Sequence, residues 1–422
     1  MHLGRIRLIL AQLGQRLWVT PAAFALGTVG ILVLAPMLEP LVPAGLERLI
    51  TVSAVQDILR ILGSSMLAVA IFSVGTMVQA LATAASAGSP RARPLITADR
   101  TARTAISTFI GGFVFAILAL VGLSGGGLDG PARVVIFAFT ALVIGVVIVT
   151  LIAWIDRLSR LGGVAETVDL VAQAAADAFA ALGRDPFIGA RPADAAPPTP
   201  HAIRSERAGF VQMIDGARLA EAAREADADL RLLVLPGAYV DPARPVLAST
   251  RPLGDAARRK ALSALAVGPR RAFACDPRYG LIVLSEIASR ALSPAVNDPG
   301  TAIEVIGAAE RLIADWRAAS PARAGEARAR VFVPAVDPAD VLDDAFRWIG
   351  RDGAGQAEVL GRLLKALARL GAADPAALDA PCRRLAGQVL ARAARAMDDP
   401  DDLARLAALA RRLGFQSAAP PA

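Results

Sequence analysis

Along the chain, long stretches without charge give way once, near Asp156, to sequence of ordinary polarity. Four apolar runs precede that point, at about 17–38, 61–86, 105–123 and 134–155. Each approaches or exceeds the ~20 residues that carry a helix across about 30 Å of hydrocarbon. Pro21 and Pro36 fall near the two ends of the first run, where a helix tolerates them. That run is too long for a cleaved signal peptide and no small-x-small site follows it, so it is expected to stay as a span. The second run has a finer pattern. Between Arg60 and Arg91 no side chain is ionisable. Wound at 100° per residue, Ser65, Ser73, Thr76, Gln79, Thr83 and Ser86 fall within an arc of roughly 140°. Leu67, Ala70, Ile71, Val74, Met77, Val78 and Leu81 fill the opposite side.

Past Asp156 a helical pattern runs to about Leu182, leading directly out of the fourth span. The stretch 184–205 holds Pro186, Pro192, Pro197, Pro198 and Pro200 and reads as a loop or linker. Strands are expected at 209–214, 230–235, 238–240 and 246–248, with a helix at 215–226 and turns at Pro236-Gly237 and Asp241-Pro242. From about Tyr279 the pattern is helical. Helices at 281–292 and 301–318 are joined by Ser293 to Gly300, and after a break near Pro321 others follow at 340–351, 356–370, 381–397 and 401–413, before a frayed tail at Pro420–Ala422. The expected fold is an all-α transmembrane region of four helices, followed by a cytoplasmic α+β domain with a helical C-terminal part. Its divisions are a transmembrane domain at 1–155, a helical connector and Pro-rich linker at 156–205, an α/β domain at 206–320 and a helical region at 321–422.

Composition agrees with the spans. Of 422 residues 55% are hydrophobic and 20% charged, and the mean hydropathy is +0.50, apolar for a soluble chain of this length. The formal charge of +7 comes from arginine, since Lys260 and Lys365 are the only lysines. These arginines are interleaved with Asp and Glu and aromatics are few, so no nucleic-acid partner is expected. Their placement sets an orientation. Arg5, Arg7 and Arg16 precede the first span, and Arg91, Arg93, Arg100 and Arg103 lie between the second and third. The other two connections hold only Arg48, Arg60 and Arg133. The positive-inside rule then puts the amino terminus, the second connection and everything after Asp156 in the cytoplasm. Cys275 and Cys382, in that part, are expected as reduced thiols.

Candidate chemistry is thin. Gly122, Ser124 and Gly126 match the G-x-S-x-G of serine hydrolases, but they join two spans, and the two histidines, His2 and His201, fall on the other side. The cluster Gly125, Gly126, Gly127 and Gly130 lacks the lysine and preceding strand of a phosphate loop. Two distant histidines and two distant cysteines make no metal spacing. No enzymatic activity, metal or cofactor is therefore expected. The junction Arg290, Ser293, Pro294, Asn297, Asp298 and Thr301 is more informative. Asp298 can cap the helix that Pro299 starts, or the group can gather polar side chains to bind an ion, a ligand or a neighbouring subunit.

Three segments resemble the bacterial membrane-protein family known as domain of unknown function 2254. Ser65-Met66 through Ser89-Pro90-Arg91, with Phe109-Ile110-Gly111-Gly112-Phe113-Val114-Phe115, is similar to that family's second and third spans. Gly209 to Asp215 and Leu235-Pro236-Gly237-Ala238-Tyr239-Val240 resemble its strand region. Asp276-Pro277-Arg278-Tyr279-Gly280 through Arg290 to Ala302 is the most specific likeness. The resemblance covers nearly the whole chain, most loosely past Pro321, and implies a bacterial multi-pass membrane protein; with the arginine placement, the expectation is the inner membrane with both termini cytoplasmic. It brings no assigned activity. Gly112 and Phe115 stand where the family usually has Thr and Tyr, which argues against a required hydroxyl there. Residues 236–247 are also loosely similar to the turn of biotinyl- and lipoyl-type barrels, without the lysine those modules modify.

The polar stripe then has two readings. Ser and Thr can pack helices closely and hydrogen-bond a neighbour, at about 0.6 kcal/mol per bond. Alternatively the stripe lines a wet path in a homo-oligomer, a channel or transporter for ions or small solutes with a cytoplasmic regulatory domain. A membrane-anchored scaffold or sensor without transport is the other functional reading. The partners expected are the lipid bilayer, further copies of the chain and an unidentified ion or small-molecule ligand.

Overall fold

The computed structural model describes residues 18–43, 45–97, 99–125, 130–159, 162–319 and 330–415. Leu17, His2, Arg5, Arg7, Arg16, Gly126, Gly127, Pro321 and the tail from Pro420 lie outside the described residues, as does the side chain of Ser86. The chain divides into two compact units. One comprises the residues up to Ala84 with Arg93–Glu166, the other Ala85–Ala92 with Thr167 onward.

The first unit is built on four helices, α1 (Val19–Leu34), α2 (Val52–Ala87), α3 (Arg100–Ser124) and α4 (Pro131–Leu158). All four are long and apolar enough to cross a membrane, α1 together with the 3-10 turns that follow it. Three helices, α2 to α4, begin earlier than their apolar runs, at starts set by polar caps or a proline. Thr51 Oγ1 accepts from the Ala54 amide at 3.2 Å, so α2 starts nine residues before Ile61 and carries the Asp57–Arg60 ion pair. Asp99 caps α3 through the Ala102 amide at 2.7 Å, and Pro131 occupies the first turn of α4. After α1, Pro36 and Pro40 turn the rest of the first span into a 3-10 segment, Ala35–Leu41.

Glycines let α3 pass close to its neighbours. A Cβ on Gly111 would lie 2.5 Å from the Phe24 ring, and one on Gly122 would lie 2.7 Å from Leu32, both on α1. Gly112 faces Met66 of α2 and Val147 of α4. Phe115 is fully buried and meets Phe139 with ring centroids 5.5 Å apart. Both Gly112 and Phe115 serve packing. At the end of the bundle Arg157 binds Asp99 (Nη2 to Oδ2, 2.6 Å) and Glu166, all three largely buried. The helix of the fourth span stops at Leu158. A separate helix, α5 (Val164–Arg184), follows Gly162, whose φ of +90° breaks the continuity expected from the sequence.

The second unit contains two sheets. Strands β1 (Arg191–Pro192), β2 (His201–Arg204), β4 (Leu230–Leu232), β6 (Pro245–Ser249) and β8 (Val331–Val333) form one, in the order β1-β8-β4-β6-β2. β1, β8 and β4 run parallel, while β6 and β2 are antiparallel to their neighbours. β5 (Tyr239–Val240), β3 (Gly209–Ile214) and β7 (Leu265–Gly268) form an antiparallel three-stranded sheet. Helices α6 (Gly216–Glu225) and α7 (Asp255–Ser263) lie between strands in sequence, and Leu219, Ala222, Ala223 and Ala261 join Val211, Leu230, Leu232, Leu247 and Val331 in one core. The proline-rich stretch read as a linker thus supplies both edge strands of the larger sheet, where a missing amide is tolerated. β8, from the stretch read as purely helical, sits inside that sheet.

The rest of the unit is helical: α8 (Pro277–Ala291), α9 (Pro299–Ala318), α10 (Pro338–Asp352), α11 (Ala357–Ala373), α12 (Pro375–Ala396) and α13 (Pro400–Arg412). Five of these start in one way. Asp276, Asp298, Asp337, Asp374 and Asp399 each accept a hydrogen bond from an amide of the first turn, and each is followed by a proline whose missing N–H costs nothing there. Their apolar faces, with Leu281, Leu284, Ile287, Val305, Phe346 and Leu363 fully buried, make the core of this part.

Candidate functional site

In the membrane unit the candidate is one flank of α2. Its packed edge is apolar: Leu59, Leu62, Met66, Ala70 and Ala80 are buried, and Gly63 lies against Ala116. Ser73 shares this edge, with a hydroxyl that has no hydrogen-bond partner among the described residues. The rest of the stripe lies beside the edge rather than on it. Thr76 is half-buried, while Ser65, Gln79 and Thr83 are exposed. Thr76 Oγ1 donates to the Ser73 carbonyl at 3.0 Å and Thr83 Oγ1 to the Gln79 carbonyl at 3.1 Å. A hydroxyl so bonded to its own helix can face lipid at little cost. Gln79 has no such outlet, because no group among the described residues bonds its side-chain amide.

The last residues of α2 and the turn after it belong to the second unit. There Ser89 Oγ donates to Glu286 Oε2 of α8 at 2.9 Å, and Arg91 forms an ion pair with the same carboxylate.

The junction between α8 and α9 is an exposed, tightly bonded turn. Ser293 Oγ donates to the Arg290 carbonyl at 2.7 Å, and the amides of Asn297 and Asp298 reach back to the carbonyls of Ser293 and Ala291, each at 2.8 Å. Asn297 adopts φ +49°, a left-handed conformation that Asn accepts more readily than most residues. Asp298 accepts from the Thr301 amide at 3.1 Å and from its hydroxyl at 2.6 Å, and these bonds hold its carboxyl below the ordinary range. Pro294 is exposed, and the exposed Arg290 side chain bonds no group among the described residues. The polar groups of the motif are thus engaged mainly in forming the corner itself.

G-x-S-x-G is likewise structural as far as it is described. Gly122 and Ser124 lie in the last turns of α3, and Ser124 Oγ donates to the Leu120 carbonyl at 2.8 Å. No strand precedes them.

The sequence gives no sign of the other feature, a cavity of about 670 Å³ within the second unit. Its walls come from the end of α5, the turn at 185–188, the connection 233–238 after β4, and the segment 271–278 that enters α8. Leu182, Ile188, Ile214, Leu235 and Val336 make the apolar part. Arg271 binds the buried Asp276 with Nε at 2.7 Å and Nη2 at 2.9 Å, and lies over the Tyr279 ring. Arg278 binds Asp344 at 2.6 Å and Asp340 at 2.7 Å. Gly237 makes room for the first pair: its φ is +91°, and a Cβ would come within 2.6 Å of the Arg271 guanidinium. Burial pushes the carboxyls of Asp276 and Asp344 upward against the pull of Arg271 and Arg278 respectively. Burial also raises the Cys275 thiol, so this exposed cysteine is a weak nucleophile. Asp276 to Tyr279 are legible as a helix start. That Arg271 and Asp344 converge on it depends on long-range packing, which no local spacing encodes.

Comparison with known proteins gives these features a family. The chain is similar to uncharacterised proteins of Mycobacterium bovis and Mycobacterium tuberculosis, 30% identical over 233 residues, a match covering 52% of this chain and 44% of each relative. The chain thus covers under half the length of these relatives. No solved structure matches it. The model of one family, described as predicted membrane protein (DUF2254), matches residues 14–369, which takes in all four apolar helices, both sheets and the helices through most of α11. With that extent of match, the chain belongs to the DUF2254 family of predicted membrane proteins.

Proposed function

We propose that copies of this chain assemble in a bacterial inner membrane and line a path for ions or small solutes with the polar flank of α2. The observation that carries the reading is Gln79, an exposed amide without a partner among the described residues, in the uncharged part of α2. Facing lipid, it would leave its donors and acceptor unsatisfied, a cost it avoids against water or a second copy. The flank is wide enough to serve, since Ser65, Thr76 and Thr83 fall on the same side. The packed interior of a single protomer, filled by Leu59, Met66, Phe109, Phe115 and Trp154, leaves the path to be made between protomers. The arginine distribution favours cytoplasmic termini, with the second unit as the regulatory part.

Flux through proteoliposomes of the purified chain tests the proposal. Gln79→Leu and Thr76→Val are expected to change conductance or selectivity without lowering thermal stability. Unchanged flux in both variants overturns the pore assignment. Stable co-purification of another protein, with no flux at all, favours a membrane-anchored scaffold or sensor instead.

A further inference from the structure

The charges around the cavity of the second unit are largely balanced in place. Arg271 is satisfied by Asp276, and Arg278 by Asp344 and Asp340. An ion bound at Arg271 or Arg278 would have to compete with one of these pairs, and leaving a partner uncompensated there is costly. Arg244 is matched in net charge by Asp185 of the same wall. The polar capacity left over is mainly that of donors. Nη1 of Arg271 and Nη2 of Arg278 have no acceptor among the described residues, and Arg244 gives only Nη1, to the Tyr239 carbonyl at 3.2 Å. Asp185, the remaining acid of the wall, accepts the Gly189 amide at 2.5 Å. Apart from the Cys275 thiol, everything else around the space is apolar or backbone, and its volume of about 670 Å³ falls in the range of small-molecule sites.

We propose that this cavity binds a neutral molecule with an apolar body and carbonyl-type acceptor oxygens, such as an ester, lactone or amide. The guanidinium groups of Arg244, Arg271 and Arg278 take the oxygens, and Leu182, Ile214 and Leu235 enclose the body. The raised carboxyls of Asp276 and Asp344 accord with the low polarity such a ligand needs. The proposal rests on the second unit alone and stands whether or not α2 lines a path.

The full chain, reconstituted in lipid nanodiscs, contains its own reporter. Cys275 is exposed and lines the cavity, whereas Cys382 is buried with its thiol pushed up to about 12. A water-soluble maleimide therefore reads Cys275, and any reaction at Cys382 reveals unfolding. Four probes share one alkyl chain: methyl decanoate, decanoate, decylamine and decane. Methyl decanoate is expected to slow alkylation several-fold and saturably, with decane inert and the two ions weaker. Ala181→Trp, at an exposed position of the wall, is expected to abolish that protection while Cys382 stays unreactive. Absence of protection by all four probes overturns the proposal, as does equal protection by decane or protection that survives Ala181→Trp. Stronger protection by decanoate or decylamine overturns the neutral class.

Discussion

Asp298 holds the first turn of α9 with one side chain, through the amide and hydroxyl of Thr301. Both bonds favour the ionised carboxylate and keep its pKa below the ordinary value. For an acid lowered in the folded state, the stabilisation is complete above the unfolded value of about 3.9 and fades as pH falls through the folded one. Asp374, lowered chiefly by Arg317 while capping α12, behaves alike. Asp298→Ala is therefore expected to cost about 1 kcal/mol near neutrality. Denaturant titrations at neutral and acidic pH should show the difference shrinking in acid, and a constant difference would mean the cap does not act through its charge. Gln79 poses the opposite case at the same scale. Its polar group is defined by what it fails to find among the described residues of its own protomer.

At the scale of elements, α3 is placed by absent side chains. Phe24 and Leu32 of α1 lie over Gly111 and Gly122, leaving no room for a Cβ at either. Gly111→Val is expected to push α1 outward and destabilise the unit by about 1–3 kcal/mol, read as a lower melting temperature in detergent and faster proteolysis near α1. Retained stability would show that Phe24 can rotate away. The same scale separates what the sequence reveals from what it hides. The four spans were legible because hydrocarbon imposes a length, and the start of α9 because Asp298 and Pro299 are adjacent. By contrast, α12 was expected only from 381 and in fact starts at Pro375, capped by Asp374. The break at Gly162 was hidden by an apolar and helical pattern on both sides. β1 and β8 are two and three residues long, and such strands exist only because a neighbour offers an edge, β4 to β8 and β8 to β1. The prolines of 184–205 suggested a linker for a sound local reason, yet edge strands accept proline too. The cavity escaped for a related reason, since its ion pairs link Arg278 to residues of α10.

Across the whole molecule, two compact units share one continuous helix. At 36 residues α2 is about 54 Å long, well beyond the ~30 Å of a bilayer core. Residues beyond its apolar run fold with the second unit, where Ser89 and Arg91 bind Glu286. Glu286→Ala is expected to destabilise the second unit by about 1 kcal/mol, and Arg91→Ala to add little once Glu286 is gone. A double-mutant cycle by thermal unfolding checks this, and fully additive losses would dissolve the contact. The five helix-starting aspartate–proline pairs have a further, chemical consequence. Such a peptide bond is unusually prone to acid hydrolysis, because the aspartate carboxyl attacks its own carbonyl carbon and the proline nitrogen leaves readily. In this fold each of these carboxylates is held by an amide of its helix's first turn. Scission in dilute acid thereby becomes a clock for fraying, and a fragment ending at Asp276, Asp298, Asp337, Asp374 or Asp399 names the helix that opened.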